Sequence, residues 1–303
     1  MHQSFLSSVF FFLIMSSVSM AQTVLVEAII IEGNKKTKQS ILLREMDFNS
    51  GDTLLIENIQ TRFETNKLNI LNTGLFTDVV INIKNWNHER GRANIVIAVK
   101  ENWYIYPLPL VELADRNFNV WWQEEGRDFN RINFGMDLYH TNFTGNKDRL
   151  KLGVLLGYTQ KFEIGYSYPY LNKAQTLGLE FNTYYSRRKE IAYQTIGDKL
   201  AFDRDDDQFQ LYRFKADLSF QYRKKIRSYH TLRLAYRQNQ IAENIANDLN
   251  PDYLLDGATV QRVPSLSYSY VYDSRDVRPY PMRGNYWSGD ILKEGFALFD
   301  DRN

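Results

Sequence analysis

Tyr212-Arg-Phe-Lys-Ala-Asp-Leu-Ser-Phe-Gln-Tyr-Arg223 decides the fold class. Tyr212, Phe214, Ala216, Leu218, Phe220 and Tyr222 alternate with Arg213, Lys215, Asp217, Ser219, Gln221 and Arg223. Side chains of a strand project to opposite faces with a period of two, so this stretch has one apolar and one charged face. Asp148 to Tyr158 repeats the pattern, with Leu150, Leu152, Val154, Leu156 and Tyr158 opposing Arg149, Lys151, Gly153 and Gly157. Similar stretches recur between Gly126 and Gly295. A soluble sandwich turns such apolar faces into a core, whereas an outer-membrane barrel turns them to lipid and its polar faces to a wet lumen.

The pattern predicts nine strands, at 104–113, 131–142, 148–158, 161–169, 175–186, 210–223, 229–239, 263–273 and 285–294. The gaps between them run mostly long, short, long, short, as in a barrel with long outward loops and short periplasmic turns. The gap 159–160 breaks that rule, and 274–284 is longer than it allows. A sandwich has no reason to alternate loop lengths, so the reading is an antiparallel transmembrane β-barrel. Pro107 and Pro109 fall in the first strand, where proline is restricted to edges, strand starts and bulges; the alternative is that 104–113 is a linker.

The 303 residues include 20 Tyr and 19 Phe, a content that suits strands ending at a membrane interface. Net charge is +1, which gives no reason to expect nucleic acid. There are no cysteines, so disulfides, thiolate metal sites and a cysteine-linked lipid anchor are excluded. Phe5 to Met20 is mostly apolar and Ser19-Met20-Ala21 precedes Gln22, which reads as a signal peptide over residues 1–21.

Residues 23–102 have a different texture. Val24 to Glu32 is β-rich and meets Gly33-Asn34; Thr37 is placed to cap a helix carrying Ile41, Leu42 and Met46. A second helix carries Ile56, Ile59, Phe63, Ile70 and Leu71 and stops at Gly74, and two strands follow at Phe76–Lys84 and Ala93–Lys100. The order β-α-α-β-β is an α+β unit. Ile29-x-Ile31-x-Gly33-Asn34, Thr37, Ile41, Gly51-Asp52, Gly74-Leu75-Phe76-x-x-Val79 and Ile95-x-Ile97-x-Val99-x-Glu101 together resemble a POTRA domain, the periplasmic module of the BamA/TamA outer-membrane assembly family, also called the bacterial surface antigen superfamily. Asn133–Leu138, Asn142-Phe-Thr-Gly145, Phe162–Leu171 and Tyr272-Asp-Ser-Arg-Asp276 with Pro281-x-x-Gly284 are similar to barrel strands and turns of that family, so the resemblance runs from Val24 to the C-terminus.

The resemblance implies a periplasmic POTRA-like domain over 23–102 and the N-terminal part of an outer-membrane barrel over 103–303. It also implies that the protein inserts or translocates other polypeptides, with partners in client chains or periplasmic proteins, outer-membrane lipid and lipopolysaccharide. Gly33, Asn34, Gly74, Leu75, Phe76, Asp273, Arg275, Asp276, Pro281 and Gly284 are its motif residues, the acidic and basic ones expected to pin a turn by charge pairs. The family implies sixteen strands, and nine leave sheet edges open. No Arg-Gly-Phe motif occurs, since Arg283-Gly284 is followed by Asn285, and Asp300-Asp-Arg-Asn303 lacks a terminal aromatic. The expectation is therefore the front of a longer protein.

No catalytic, cofactor or metal site emerges. His2, His88, His140 and His230 are scattered, and Asp203, Asp205, Asp206 and Asp207 lack the glycine and terminal glutamate of a calcium loop. They read as a solvated outward loop, the alternative being a weak divalent contact with lipopolysaccharide phosphates. Arg149, Lys151, Arg213, Lys215, Arg233 and Arg237 are expected in the lumen, paired with Glu163, Glu180 and Asp217. Two other functions stay open: a porin or binding barrel with an anchoring head, and the barrel of a surface enzyme or secreted-effector translocator.

Overall fold

The computed structural model describes residues 22–87, 89–115, 117–205 and 207–296. The signal-peptide reading, His2, His88, Asp206 and residues 297–303 fall outside them.

The head runs β1 (Thr23–Glu32), α1 (Gln39–Leu43), β2 (Thr53–Leu55), α2 (Ile59–Leu71), β3 (Phe76–Asn87) and β4 (Arg92–Glu101). Its sheet has the order β2-β1-β4-β3, with β1 parallel to β4 and the other pairs antiparallel. Central β4 buries Ala93, Ile95, Ile97 and Val99 against Phe63 and Ile70 of α2 and Ile41 and Leu42 of α1. Phe63, Asn66 and Ile70 recur at helical spacing on the buried face of α2. Buried Asn66 is satisfied by Asp47 and by the Arg62 carbonyl, as a buried amide must be.

Two expectations are corrected here. The order is β-α-β-α-β-β, because Thr53–Leu55 adds a short strand to β1; three residues are too few to show a period of two. Thr37 does not cap α1, whose N-cap is Lys38 and carries no side-chain cap. Its hydroxyl is spent on Tyr104 and Asn142 instead.

Beyond the head, β5 (Ile105–Leu113), β6 (Ile132–Thr141), β7 (Arg149–Gly157), β8 (Thr159–Tyr168) and β9 (Leu177–Arg188) follow in order. A hairpin of β10 (Glu190–Ile196) and β11 (Lys199–Arg204) comes next, then β12 (Leu211–Tyr222), β13 (Ser228–Ile241), β14 (Val260–Asp273) and β15 (Tyr286–Glu294). All but the hairpin form one sheet of nine strands, β5-β6-β7-β8-β9-β12-β13-β14-β15, antiparallel throughout. All nine expected strands are present. Pro107 and Pro109 lie in β5, which has β6 as its one partner among the described residues. The loop expected at 187–209 instead holds the β10–β11 hairpin, turned by Gly197 and Asp198, both at positive φ (56° and 61°).

The tight connection between β7 and β8 also has a cause. Tyr158 is buried there and donates to Glu190 of the hairpin at 2.8 Å, so the turn is held down beneath the neighbouring loops.

The faces of the sheet are inverted relative to a soluble protein. Leu152, Val154 and Leu156 are 37%, 41% and 47% exposed, and across the ladder they meet Phe162, Ile164, Phe134 and Met136, all exposed as well. The polar face is the enclosed one: Lys151 and Lys161 each reach Glu163 at 2.6 Å, and Arg233 lies 3.9 Å from Asp217. Glu180 departs from expectation, bonding Asn182 and Gln221, while Arg237 pairs with Glu294. Buried apolar clusters lie in the head and around Ile191, Leu211 and Ile241 under the outward loops. The band between them is an exposed apolar surface several strands wide, well beyond what a soluble monomer tolerates.

Candidate functional site at the junction of head and sheet

Four turns at one end of the sheet hold the head. Between β6 and β7, the Gly145 carbonyl accepts from the Lys38 amide at 3.0 Å, and Asn142 donates to the Thr37 hydroxyl at 2.9 Å. A Cβ on Gly145 would stand 2.3 Å from the Lys36 carbonyl oxygen, so the approach requires glycine. Between β8 and β9, the Gln175 carbonyl accepts from Arg44 at 3.2 Å. Between β12 and β13, Arg223 clasps Glu45 through two nitrogens at 2.8 and 3.0 Å. Between β14 and β15, the Asp276 carbonyl accepts from Asn72 at 2.7 Å. This last contact accounts for the length of 274–284: the turn extends to reach the head.

Glu45 is the centre of the latch. Its side chain is 2% exposed, with Arg223 on it and the Lys147 ammonium at 3.8 Å. Burial alone would raise its pKa, but Lys147, Arg223 and Arg44 override burial and hold it at about 2. Lys147 is driven down to about 8, by burial first and then by the positive charges of Arg223, Arg278 and Arg149, although Glu45 pulls it up. Arg223 is pushed above its ordinary value because Glu45 outweighs burial. Losing one partner of such a pair leaves a buried charge and costs about 3–5 kcal/mol. At the hinge between head and sheet, Glu101 accepts from the Lys36 and Thr37 amides at 3.0 and 2.6 Å. These bonds, with the Thr37 side chain, outweigh burial and hold Glu101 below the usual carboxylate range.

The motif residues gather at the two ends of this junction. Gly33, at φ 90°, and Asn34, which donates to the Thr37 carbonyl at 2.9 Å, shape the loop facing the β6–β7 turn. Gly74, at φ 75°, sets Leu75 and Phe76 into the head core. The segment Asn72–Leu75 faces the β14–β15 turn. In that turn Arg275 pairs with Asp273 at 2.8 and 3.0 Å, and the Asp276 carboxylate accepts from the amides of Val277, Met282 and Arg283. A Cβ on Gly284 would stand 2.3 Å from the Ser274 carbonyl oxygen. Pro281 is exposed at its tip.

Sequence reasoning passed over Glu45, Lys147 and Tyr104 and gave no junction role to Arg223 or Asn142, although it placed the first on a strand's charged face and the second in a turn motif. The available signal was Glu45 itself, a charge one position before Met46 and three after Leu42, both of which are buried.

A second cluster locks the opposite, outward end. Arg131 is 2% exposed and bonds Asp115, Tyr158 at 3.0 Å and Glu190 at 3.1 Å, while Arg204 bridges Glu125 and Glu190. The calcium alternative finds its aspartates in structural use: Asp203 accepts from Asn244, and Asp205 caps the turn through the Asp207 and Gln208 amides. His140 contacts Lys36 at 3.2 Å, and His230 contacts Tyr268 at 2.8 Å.

Residues 24–102 match the POTRA family, described as a surface antigen variable number repeat, and residues 142–292 match the Omp85 superfamily domain. Among solved structures the chain is similar to BamA from Haemophilus ducreyi lacking POTRA domains 1–3. Identity is 15% and the TM-score 0.53, over 90% of this chain and 49% of that one. CdiB from Acinetobacter baumannii (13% identity, TM-score 0.46) is matched over 90% of this chain and 46% of that chain. CdiB from Escherichia coli (13%, 0.31) is matched over 83% and 52%. The chain spans about half the length of these structures. No curated protein matches it by sequence.

Proposed function

The chain belongs to the Omp85 superfamily, an outer-membrane β-barrel protein with one periplasmic POTRA domain, and from that premise we propose that it inserts or translocates other polypeptides at the outer membrane. The observation that carries this reading is β3, the outer strand of the head. It is twelve residues long, has β4 as its one strand partner among the described residues, and exposes Thr77, Asp78 and Val80. An open edge of that length accepts an extended peptide as an added strand, its backbone groups supplying affinity and its side chains modest selectivity. The bulges at Phe76/Asp78 and Lys84/Asn87 bound the pairing stretch.

Family members of this kind are assembly factors or transporters, and the reading requires no bond to be made or broken. Client polypeptides engage β3 in the periplasm, and the latch keeps the head fixed against the turns at the base of the sheet. The β5 edge, with its two prolines, serves as the seam at which a client strand enters. The apolar outer face meets outer-membrane lipid, and the outward loops meet lipopolysaccharide.

A photoreactive amino acid at Val80 tests the reading in membranes. Cross-links to unfolded outer-membrane polypeptides, lost when β3 is covered by a tethered strand, are expected. A constitutive ion conductance with no polypeptide captured at Val80 would favour a transport barrel instead.

A further inference from the structure

Between the Thr73–Leu75 segment of the head and the sheet lies a cavity of about 350 Å³, within the size range of ligand sites, roughly 300–1,000 Å³. Lys147, Arg149, Arg223 and Arg278 line it, and no carboxylate does. The surrounding acids lie outside it and are already engaged: Glu45 by Arg223 and Lys147, Asp273 by Arg275 and Arg278, Asp148 by Tyr166 and the Thr144 amide, and Glu180 by Asn182 and Gln221. Arg149 makes no ion pair among the described residues and is exposed. The cavity therefore holds more positive charge than its own side chains neutralise.

An anion would relieve this imbalance, and the walls say which kind. Leu75, Pro169 and the ring of Tyr170 stand beside the cations. A free inorganic ion gains nothing from them, whereas an acidic side chain carried on a peptide places its methylenes there and its carboxylate on the guanidinium groups. We propose that this cavity binds acidic side chains of the polypeptide being handled, with Arg149 as the unpaired receptor group and Lys147 and Arg278 completing the positive wall. The inference rests on the proposed function, which supplies a peptide at this place.

The test is a titration of the detergent-solubilised full chain with a dansyl-labelled peptide of alternating glutamate and alanine. Its lysine counterpart, inorganic phosphate and anionic phospholipid serve as competitors. The acidic peptide should bind, the lysine peptide should not, and phosphate and lipid should compete only weakly. Arg149→Gln should weaken binding about tenfold, the loss of one charge-assisted contact, and Arg149→Lys should recover part of it. Heat-modifiable gel migration checks that each variant is folded. Equal binding of both peptides, an unchanged affinity in Arg149→Gln, or displacement by phosphate or lipid as effective as by peptide would each overturn the inference. If Val80 still cross-links clients while this titration is flat, the proposed function stands and the cavity loses its assignment.

Discussion

Strand β4 of the head and strand β7 of the sheet both place apolar residues at every second position and bury opposite things. In β4, Ala93, Ile95 and Ile97 are fully buried, and the exposed positions are polar. In β7, Leu152, Val154 and Leu156 are exposed, while Lys151 turns inward to Glu163. The period of two fixes that two faces exist and leaves open which solvent each meets. In the head that solvent is water, because α1 and α2 cover the apolar side. In the sheet no helix among the described residues covers it, and the proposed function gives that face to lipid.

Where these two regions meet, the latch is expected to give the largest effect. Glu45→Gln should cost the docked head about 3–5 kcal/mol, since Arg223 stays buried without its partner. Limited proteolysis should then release the head while the sheet keeps its heat-modifiable migration. Acid should act the same way. The Glu45 carboxyl is depressed in the fold, so its contribution is present above 4.5 and is lost as pH falls toward about 2. Amide exchange in α1, followed from pH 6 to 3, would show the loss; flat protection over that range would contradict the latch.

Val154→Arg comes next and strikes the contrast between the strands directly. A charge on the lipid face near the middle of a strand should cost about 2–4 kcal/mol, read from urea unfolding in bilayers. Lys215→Gln on the enclosed face should stay within about 0.5 kcal/mol. A third and smaller effect, about 1–3 kcal/mol, is expected for Gly284→Ala, where positive φ and the Ser274 carbonyl both oppose a Cβ. The smallest is alkaline. Lys147 is depressed to about 8 from 10.5, so between those values the unfolded chain holds a proton that the folded one has shed. Stability should therefore rise with pH across that window, in the same direction as on the acid limb, because both groups are depressed in the fold.

The strands were legible because each carries enough residues to display its period; Tyr212 to Arg223 alone shows twelve positions. The three-residue strand at Thr53–Leu55 shows no such period, and the β10–β11 hairpin was hidden inside a polar loop, although Gly197-Asp198 is a hairpin turn. The latch was not legible. Glu45, Lys147 and Arg223 stand far apart in sequence, and their importance comes from burial that only docking creates. The turn residues Asp273, Arg275 and Asp276 were visible because their partners lie within ten residues of one another. Thr37 was misplaced for a related reason: its local role as a cap lost to Tyr104 and Asn142, remote partners that the sequence does not connect.

The chain has no cysteine, so single-cysteine labelling can address each face without background. Val154→Cys and Phe220→Cys on the apolar face, with Lys151→Cys and Ser219→Cys on the polar face, would carry a fluorophore in vesicles containing brominated lipid. The lipid-facing account predicts quenching by brominated acyl chains at the first two and by aqueous iodide at the second two. Iodide quenching of Val154→Cys and Phe220→Cys with no effect of brominated lipid would contradict it.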